Sequence, residues 1–285
     1  NMTNKISHSD ALAANVKVHS ALASSGEYNR SPHFLPENQT KVRALLKDLL
    51  RDQFTGSKPH SLLDMGCGTG FIIKLTHDLV DIVHGIDITE AMMSQVDLSP
   101  GNIELFRSAA ESTPFESGSY NVITAYSFLD HLVSYKPVLE EAFRLLAPGG
   151  VFYSDLNPNR FFTHQMADVE NLNQSELPEV VSREIRGSLH NGEHYQEMYG
   201  IDAETLENAE PIKSFESGIN PYEFTEFARE LGFSHAEFQP DWFLGQAVVT
   251  SEQSNQAVDT IDGYLRSILP ASLGLYKYLR FILIK

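Results

Sequence analysis

Apolar residues follow two periods along this chain, and the two periods alternate between about residues 40 and 155. Short apolar runs that predict strands lie at 61–65, 81–86, 103–106, 120–126 and 151–155. Between them, apolar residues recur every three or four positions at 42–50, 71–79 and 138–146, which predicts helices. Strands that alternate with helices at this spacing predict right-handed βαβ units and a parallel sheet covered on both faces.

The alternation stops after residue 155. Residues 156–218 have no regular pattern, apart from Asn191-Gly192, which predicts the turn of a β-hairpin. A segment of this length without regular structure is typical of a functional lid or of a disordered loop.

Regular elements are predicted again in the last quarter of the chain. Asn220 and Pro221 predict the start of a helix that ends before Gly232. Strands are predicted at 234–238 and at 277–285, the latter at the edge of the sheet, and residues 251–275 form a helical insertion between them.

The first predicted strand ends in alternating glycines, in the sequence Asp64-Met65-Gly66-Cys67-Gly68-Thr69-Gly70. Glycines let the backbone turn tightly and approach a ligand closely, and the next helix would offer that ligand its free N–H groups. The acid before the glycines disfavours a phosphate and suits a cationic or amino-bearing ligand. A dinucleotide fingerprint is also disfavoured, because Phe71 occupies the position of its third glycine.

Ligands of an open parallel sheet bind outside the carboxyl ends of its strands. The polar residues expected there follow each strand in turn, and they are Asp64 with Gly66, Gly68 and Gly70, then Asp87, Ala110-Glu111, 126–131, and Asp155 with Asn157. Asp87 is the right distance from the glycines to accept both hydroxyls of a ribose.

These landmarks resemble a known family. The segments LLDMGCGTG, HGIDITEAMM, AAESTPFESGSYNVITAYSFLDHL and LLAPGGVFYSD are similar to the class I S-adenosylmethionine-dependent methyltransferases, in the small-molecule branch of the ubiquinone and menaquinone methyltransferases. The resemblance implies a Rossmann-like, seven-stranded, mainly parallel sheet with an insertion after strand five. It also implies S-adenosyl-L-methionine as the cofactor and methyl transfer to an O, N or C atom of a small molecule.

The resemblance implies one methyltransferase domain over 1–285. Its expected parts are an N-terminal helical cap (1–55), a cofactor-binding half (56–155), a substrate-side insertion or lid (156–219), and C-terminal helix and strands (220–285) with the helical insert.

Site residues also follow from the resemblance. Asp64 and the loop of Gly66, Cys67, Gly68, Thr69 and Gly70 would face the amino-acid part of the cofactor, and Asp87 would hold the ribose. The remaining contacts would be Ile88, Met92, Ala110 and Glu111 around the adenine, and Tyr126 and Ser127 beside the methionine and its sulfonium.

Catalytic residues are less defined, because methyl transfer from a sulfonium is accelerated mainly by orientation and a general base is optional. His131 is a candidate base, with packing of the adjacent helix as the alternative. Tyr28 is a candidate for covering the cofactor, or a loop residue without a role. We expect no metal, because the fourth strand ends in Ser127 rather than in a carboxylate.

The net charge and the composition restrict the classes of partner that we expect. The net charge of -17 disfavours nucleic acid and anionic membranes. One cysteine, no apolar signal segment in the first thirty residues and no long apolar run lead us to expect a cytoplasmic monomer or homodimer. Two alternatives stay open: a non-catalytic cofactor-binding partner or regulatory protein, and an enzyme acting on a protein or carrier-bound substrate.

Overall fold

The computed structural model describes residues 6–25, 31–172 and 176–285. Within them, seven strands form one sheet: β1 (Ser61–Met65), β2 (Ile82–Asp87), β3 (Ile103–Arg107), β4 (Tyr120–Tyr126), β5 (Leu146–Pro158), β6 (His235–Phe243) and β7 (Tyr276–Ile284). The strand order is β3-β2-β1-β4-β5-β7-β6. Strands β1 to β5 pair in parallel, and β7 runs antiparallel to both of its neighbours. The predicted Rossmann-like, mainly parallel sheet is therefore confirmed.

Helices cover both faces of this sheet. In the described ranges they are α1 (His8–Ser25), α2 (Pro36–Gln53), α3 (Phe71–Thr76), α4 (Glu90–Met93), α5 (Lys136–Leu145), α6 (Arg160–Asn171), α7 (Glu179–Leu189), α8 (Asn191–Tyr199), α9 (Ala203–Ala209), α10 (Pro211–Glu216), α11 (Pro221–Leu231), α12 (Gln246–Glu252) and α13 (Asn255–Ser267). None of these helices has the length and apolar composition needed to cross a membrane.

The core is built on the two faces of the sheet. On one face, α5 and α11 pack through Val138 and Phe224 against the strands, and the rings of Phe224 and Phe281 stack 3.7 Å apart. On the other face, α2 contributes Val42 and Leu46 at a spacing of four residues. Burial on both faces explains the continuous apolar runs of the central strands.

The predicted edge position of the last strand is wrong. Strand β7 lies between β5 and β6, and Leu279, Phe281 and Leu283 on it have no exposed surface. Strand β6 forms the edge instead, which suits Pro240, because proline lacks the N–H that a central strand must donate.

The predicted hairpin at Asn191-Gly192 is also wrong. These two residues begin α8, directly after α7. On α7, Val181, Ile185 and Leu189 recur every four residues and pack on α6, so a helical period outweighs the turn-forming pair.

An N-terminal helical cap was expected over residues 1–55, but the bounds of α1 were not, because its many alanines give a weak amphipathic pattern. Its residues Ala14, Val18 and Leu22 pack against Leu206 and Ala209 of α9. The N-terminal helix therefore joins the insertion in one layer over the carboxyl ends of the strands.

A buried ionic cluster ties the C-terminal strands to the rest of the sheet. The guanidinium of Arg280, which is 5% exposed, donates to Asp155 on β5 at 2.9 Å and to Asp241 on β6 at 2.8 Å. Asp155 also accepts from the Tyr153 hydroxyl, and Asp241 from Lys41 of α2. Breaking such a cluster on one side leaves an uncompensated buried charge, which is strongly destabilising.

We therefore predict that Arg280→Met lowers the free energy of unfolding by about 3–5 kcal/mol, measured by urea denaturation. The matched control is Arg51→Met, because Arg51 is exposed and pairs only with exposed acids among the described residues. Equal stability of the two variants would contradict a structural role for the cluster.

Candidate functional site

A cavity of about 370 Å³ lies at the carboxyl ends of β1, β2 and β4. The predicted residues that line it are Asp64, Gly66, Cys67, Gly68, Thr69, Asp87, Ile88, Met92, Ala110, Glu111, Tyr126, Ser127 and His131. Gly70 is outside this lining and precedes α3, with φ of 90°. Tyr28 lies outside the described residues.

The glycine loop is folded back on the end of β2. Gly66 has φ of 66°, and a Cβ at this position would lie 2.1 Å from a ring carbon of Phe128. The amide of Cys67 donates to the carbonyl of Ile86 at 2.9 Å. Only glycine fits at position 66, because both the backbone conformation and the phenyl ring exclude a side chain.

Asp87 holds the same loop through its side chain. One carboxylate oxygen accepts from the Gly68 amide at 2.9 Å, and the other accepts from the Thr89 amide at 2.8 Å. Burial raises the pKa of Asp87 above its ordinary value, although these two hydrogen bonds act in the opposite direction. Each oxygen retains a further lone pair for a ligand.

Asp64 is a buried acid without a nearby cation. It is 2% exposed, and among the described residues its hydrogen-bond donor is the Thr124 hydroxyl, at 2.7 Å. Burial raises the pKa of Asp64 to about 7, and the neighbouring charge of Asp87 contributes in the same direction. A carboxyl group in this setting gains most from a ligand that brings a positive charge.

Aromatic side chains form the wall next to Asp64. Phe71 stacks on Tyr126 with ring centroids 4.7 Å apart. The Tyr126 hydroxyl accepts from Asn38 at 3.0 Å and is 3.3 Å from the His33 carbonyl, to which it donates. Burial raises the pKa of Tyr126, so the hydroxyl stays protonated at neutral pH. Phe71, at the sequence position of a dinucleotide fingerprint's third glycine, thus forms part of the cavity lining.

Three other candidate site residues lie in surroundings that are typical of a structural role. Burial raises the pKa of the Cys67 thiol, so this residue is no nucleophile at neutral pH. Asp155 belongs to the ionic cluster on Arg280. Asn157 bonds to Ser154 and to the carbonyl of Leu279, so it joins β5 to β7.

The far end of the cavity is formed by α1 and the insertion. The His131 carbonyl accepts from Asn15 of α1 at 2.9 Å, and Nδ1 of its ring lies 3.3 Å from the carbonyl of Ala209. The His19 ring meets the His131 ring edge-on, with centroids 4.4 Å apart. Neither Asn15 nor His19 was predicted from the sequence. The spacing of Ala11, Ala14, Val18 and Leu22 was the available indication of a helix there.

Three ligand-type side chains meet at this end. Asp130, His131 and Glu210 place one oxygen or nitrogen atom each within 4.8 Å of one another. The expectation of no metal assumed that no carboxylate follows β4, and Asp130 does not satisfy that assumption. The absence of a metal therefore remains a prediction, and the residues that follow β4 no longer support it.

Comparison with known sequences points to one class of protein. Residues 63–154, roughly a third of the chain, match the family described as Methyltransferase domain. The demethylmenaquinone methyltransferase of Lactococcus lactis is 37% identical over 101 residues, which are 32% of this chain and 39% of that protein. The ubiquinone biosynthesis O-methyltransferase of Burkholderia vietnamiensis is 36% identical over 103 residues, which are 34% and 44%. The chain thus spans less than half of the length of these relatives.

Solved structures extend the likeness of the fold to nearly the whole chain. The plantazolicin methyltransferase, solved with a substrate analogue and S-adenosylhomocysteine, covers 96% of both chains with a TM-score of 0.54 and 15% identity. An S-adenosylmethionine-dependent methyltransferase from Mesorhizobium loti covers 84% of this chain and 96% of its own, with a TM-score of 0.50 and 14% identity. At such identities the likeness is one of fold alone.

The raised pKa of Asp64 predicts a pH-dependent stability. Between about pH 4 and pH 7 the folded protein binds more protons at this site than the unfolded chain does. The free energy of unfolding therefore falls as the pH rises through this interval. Relative to Asp64→Asn, the wild type should lose roughly 4 kcal/mol across it.

Urea denaturation of both proteins at several pH values between 4.5 and 7.5 measures this difference. The substituted amide would keep an oxygen that accepts from Thr124, so Asp64→Asn isolates the effect of the charge. Parallel stability curves for the two proteins would show that Asp64 titrates normally.

Proposed function

We propose that the protein is a class I S-adenosylmethionine-dependent methyltransferase that transfers a methyl group from this cofactor to a small molecule. The acceptor atom would be oxygen, nitrogen or carbon, and the second product would be S-adenosylhomocysteine. We also propose that the protein works in the cytoplasm. Its net charge of -17 supports an acceptor other than nucleic acid or an anionic membrane.

The observation that carries this proposal is the buried carboxyl group of Asp64, which faces the cavity without a cation to balance it among the described residues. The amino-acid part of S-adenosylmethionine has an ammonium group, and its sulfonium is a second positive charge nearby. Either charge would favour the ionised form of Asp64. A nicotinamide dinucleotide brings a pyrophosphate to the glycine loop instead, which Asp64 would repel.

Asp87 fits the next part of the cofactor. Its two oxygens already accept from backbone amides, so they are fixed in position and each has one lone pair left. Two adjacent ribose hydroxyls would each find one acceptor. Ile88, Met92, Ala110 and Glu111 would then surround the adenine, while Tyr126 and Ser127 would lie at the methionine end.

His131 is the residue that we propose as a general base. Because a carbonyl oxygen only accepts, the contact with Ala209 places the hydrogen of the neutral ring on Nδ1. The other nitrogen, Nε2, is then free to take a proton from the acceptor. Orientation of the acceptor in line with the C–S bond would supply most of the rate.

Replacing Asp87 with Ala should weaken the binding of S-adenosylhomocysteine by at least about 1–3 kcal/mol, because at least one hydrogen bond to the ribose is lost. Isothermal titration calorimetry measures the affinity. Asp81→Ala is the matched control, since Asp81 is exposed and precedes β2 at its opposite end. An affinity that is unchanged in Asp87→Ala would remove this residue from the site.

Transfer itself is tested with S-adenosylmethionine labelled in its methyl group and an extract of small metabolites and proteins. We expect the label in the small-molecule fraction, and no label there with His131→Asn. Label confined to protein would indicate a protein or carrier-bound acceptor. Tight binding of the cofactor without transfer to any fraction would indicate a non-catalytic binding partner.

A further inference from the structure

The acceptor end of the cavity contains an acidic oxygen without a partner. Oδ1 of Asp130 is buried and, in the described part of the chain, makes no hydrogen bond. Nε2 of His131 lies 3.8 Å from it, which exceeds hydrogen-bond distance. A buried carboxylate oxygen without a hydrogen-bond donor destabilises the folded protein unless a ligand donates to it.

Among the described residues, no neighbouring lysine neutralises the negative charge of Asp130. The two lysines that line the cavity have other partners, because Lys213 lies 3.6 Å from Glu210 and Lys277 lies 3.1 Å from Glu184. Burial lowers the pKa of His19 well below its ordinary value, so this ring is uncharged at neutral pH. Among the described residues no lysine or arginine pairs with Asp130, and a ligand that carries a positive charge would balance its carboxylate.

The spacing of the acceptor atoms indicates the size of that ligand group. Atoms of Asp130, Glu210 and His131 lie within 4.8 Å of one another, and the pair between Asp130 and His131 is 3.8 Å apart. An ammonium that donates along tetrahedral directions at about 2.7–2.9 Å spreads its acceptors to roughly 4.4–4.7 Å. A divalent metal with ligands at about 2.0–2.2 Å brings neighbouring donor atoms to roughly 3 Å. The 4.8 Å limit on the three atoms leaves room for the acceptors of an ammonium.

We propose that the methyl acceptor is an amine, whose protonated nitrogen binds between Asp130, Glu210 and His131. This inference rests on the proposed function and narrows the acceptor atom from oxygen, nitrogen or carbon to nitrogen. The cavity is also lined by Phe128, Leu132 and Phe162. The amine would therefore carry an apolar or aromatic group.

The chemistry balances without a further reactant. The bound ammonium gives one proton to Nε2 of His131 and becomes a neutral amine with a free lone pair. That lone pair forms the N–C bond to the methyl group while the C–S bond breaks and its electrons go to sulfur. The products are S-adenosylhomocysteine and the methylated ammonium, and the proton on His131 leaves to solvent.

Matched amines and alcohols test this inference by calorimetry on protein saturated with S-adenosylhomocysteine. The probes are phenethylamine with 2-phenylethanol, and cyclohexylmethylamine with cyclohexylmethanol, all at pH 7.5. In each pair we expect the amine to bind at least tenfold more tightly. Asp130→Asn should reduce this preference to less than threefold and leave the affinity for S-adenosylhomocysteine unchanged. Glu226→Gln, at an exposed acid on α11, should keep the full preference.

Three results would overturn the inference. The first is equal or tighter binding of the alcohols in both pairs, and the second is an amine preference that survives in Asp130→Asn. The third is binding of Mn²⁺ to the wild type, detected by electron paramagnetic resonance and lost in Asp130→Asn, which would make the cluster a metal site. Failure to bind S-adenosylhomocysteine would instead contradict the proposed function, so the two failures are distinguishable.

Discussion

The hydrogen bond from the Gly68 amide to the Asp87 carboxylate is the interaction on which the rest of the site depends. It joins the loop after β1 to the end of β2, and the Cys67 amide reinforces the same junction through the carbonyl of Ile86. The ring of Phe128 closes over Gly66 from the β4 side. The loop is therefore shaped by the protein itself, and the ligand meets a preformed surface.

Buried acidic side chains fall into two groups in this fold: those that pair with an arginine and those that do not. Asp155 and Asp241 are paired with Arg280 inside the C-terminal part of the sheet, where they hold β5, β6 and β7 together. Asp64 and Asp130 face the cavity, and among the described residues no lysine or arginine pairs with either of them. Unpaired buried acids are destabilising, so their position at the cavity indicates function, in keeping with a positively charged cofactor and a positively charged acceptor.

Much of the fold could be predicted because local patterns determine it. The bounds of β1, β4 and α11 agree with the prediction, and Asn220 caps α11 by accepting from the amides of Tyr222 and Glu223. The position of β7 could not be predicted, because strand order depends on pairing between segments far apart in the sequence. The bounds of helix α1 could not be predicted, because its alanines give a weak amphipathic pattern.

The candidate site also has one half that could be predicted from the sequence and one half that could not. The half that we propose for the cofactor comes from contiguous motifs at strand ends, so Asp64, Asp87 and Tyr126 could be found from the sequence and all line the cavity. The half that we propose for the acceptor joins Asn15 of α1, Asp130 after β4 and Glu210 before α10, which meet only in the folded chain. No local pattern connects these residues.

The central claim is that a cationic ligand pairs with Asp64, and proton release on binding tests it most directly. Because the pKa of Asp64 is about 7 in the free protein, an ammonium beside it should expel roughly half a proton at pH 7. Calorimetric titration with S-adenosylhomocysteine in two buffers of different ionisation enthalpy measures that release, with Asp64→Asn as the control. The account predicts release in the wild type and none in the variant. Absence of binding at millimolar ligand, tighter binding of NAD, or binding without proton release would contradict it.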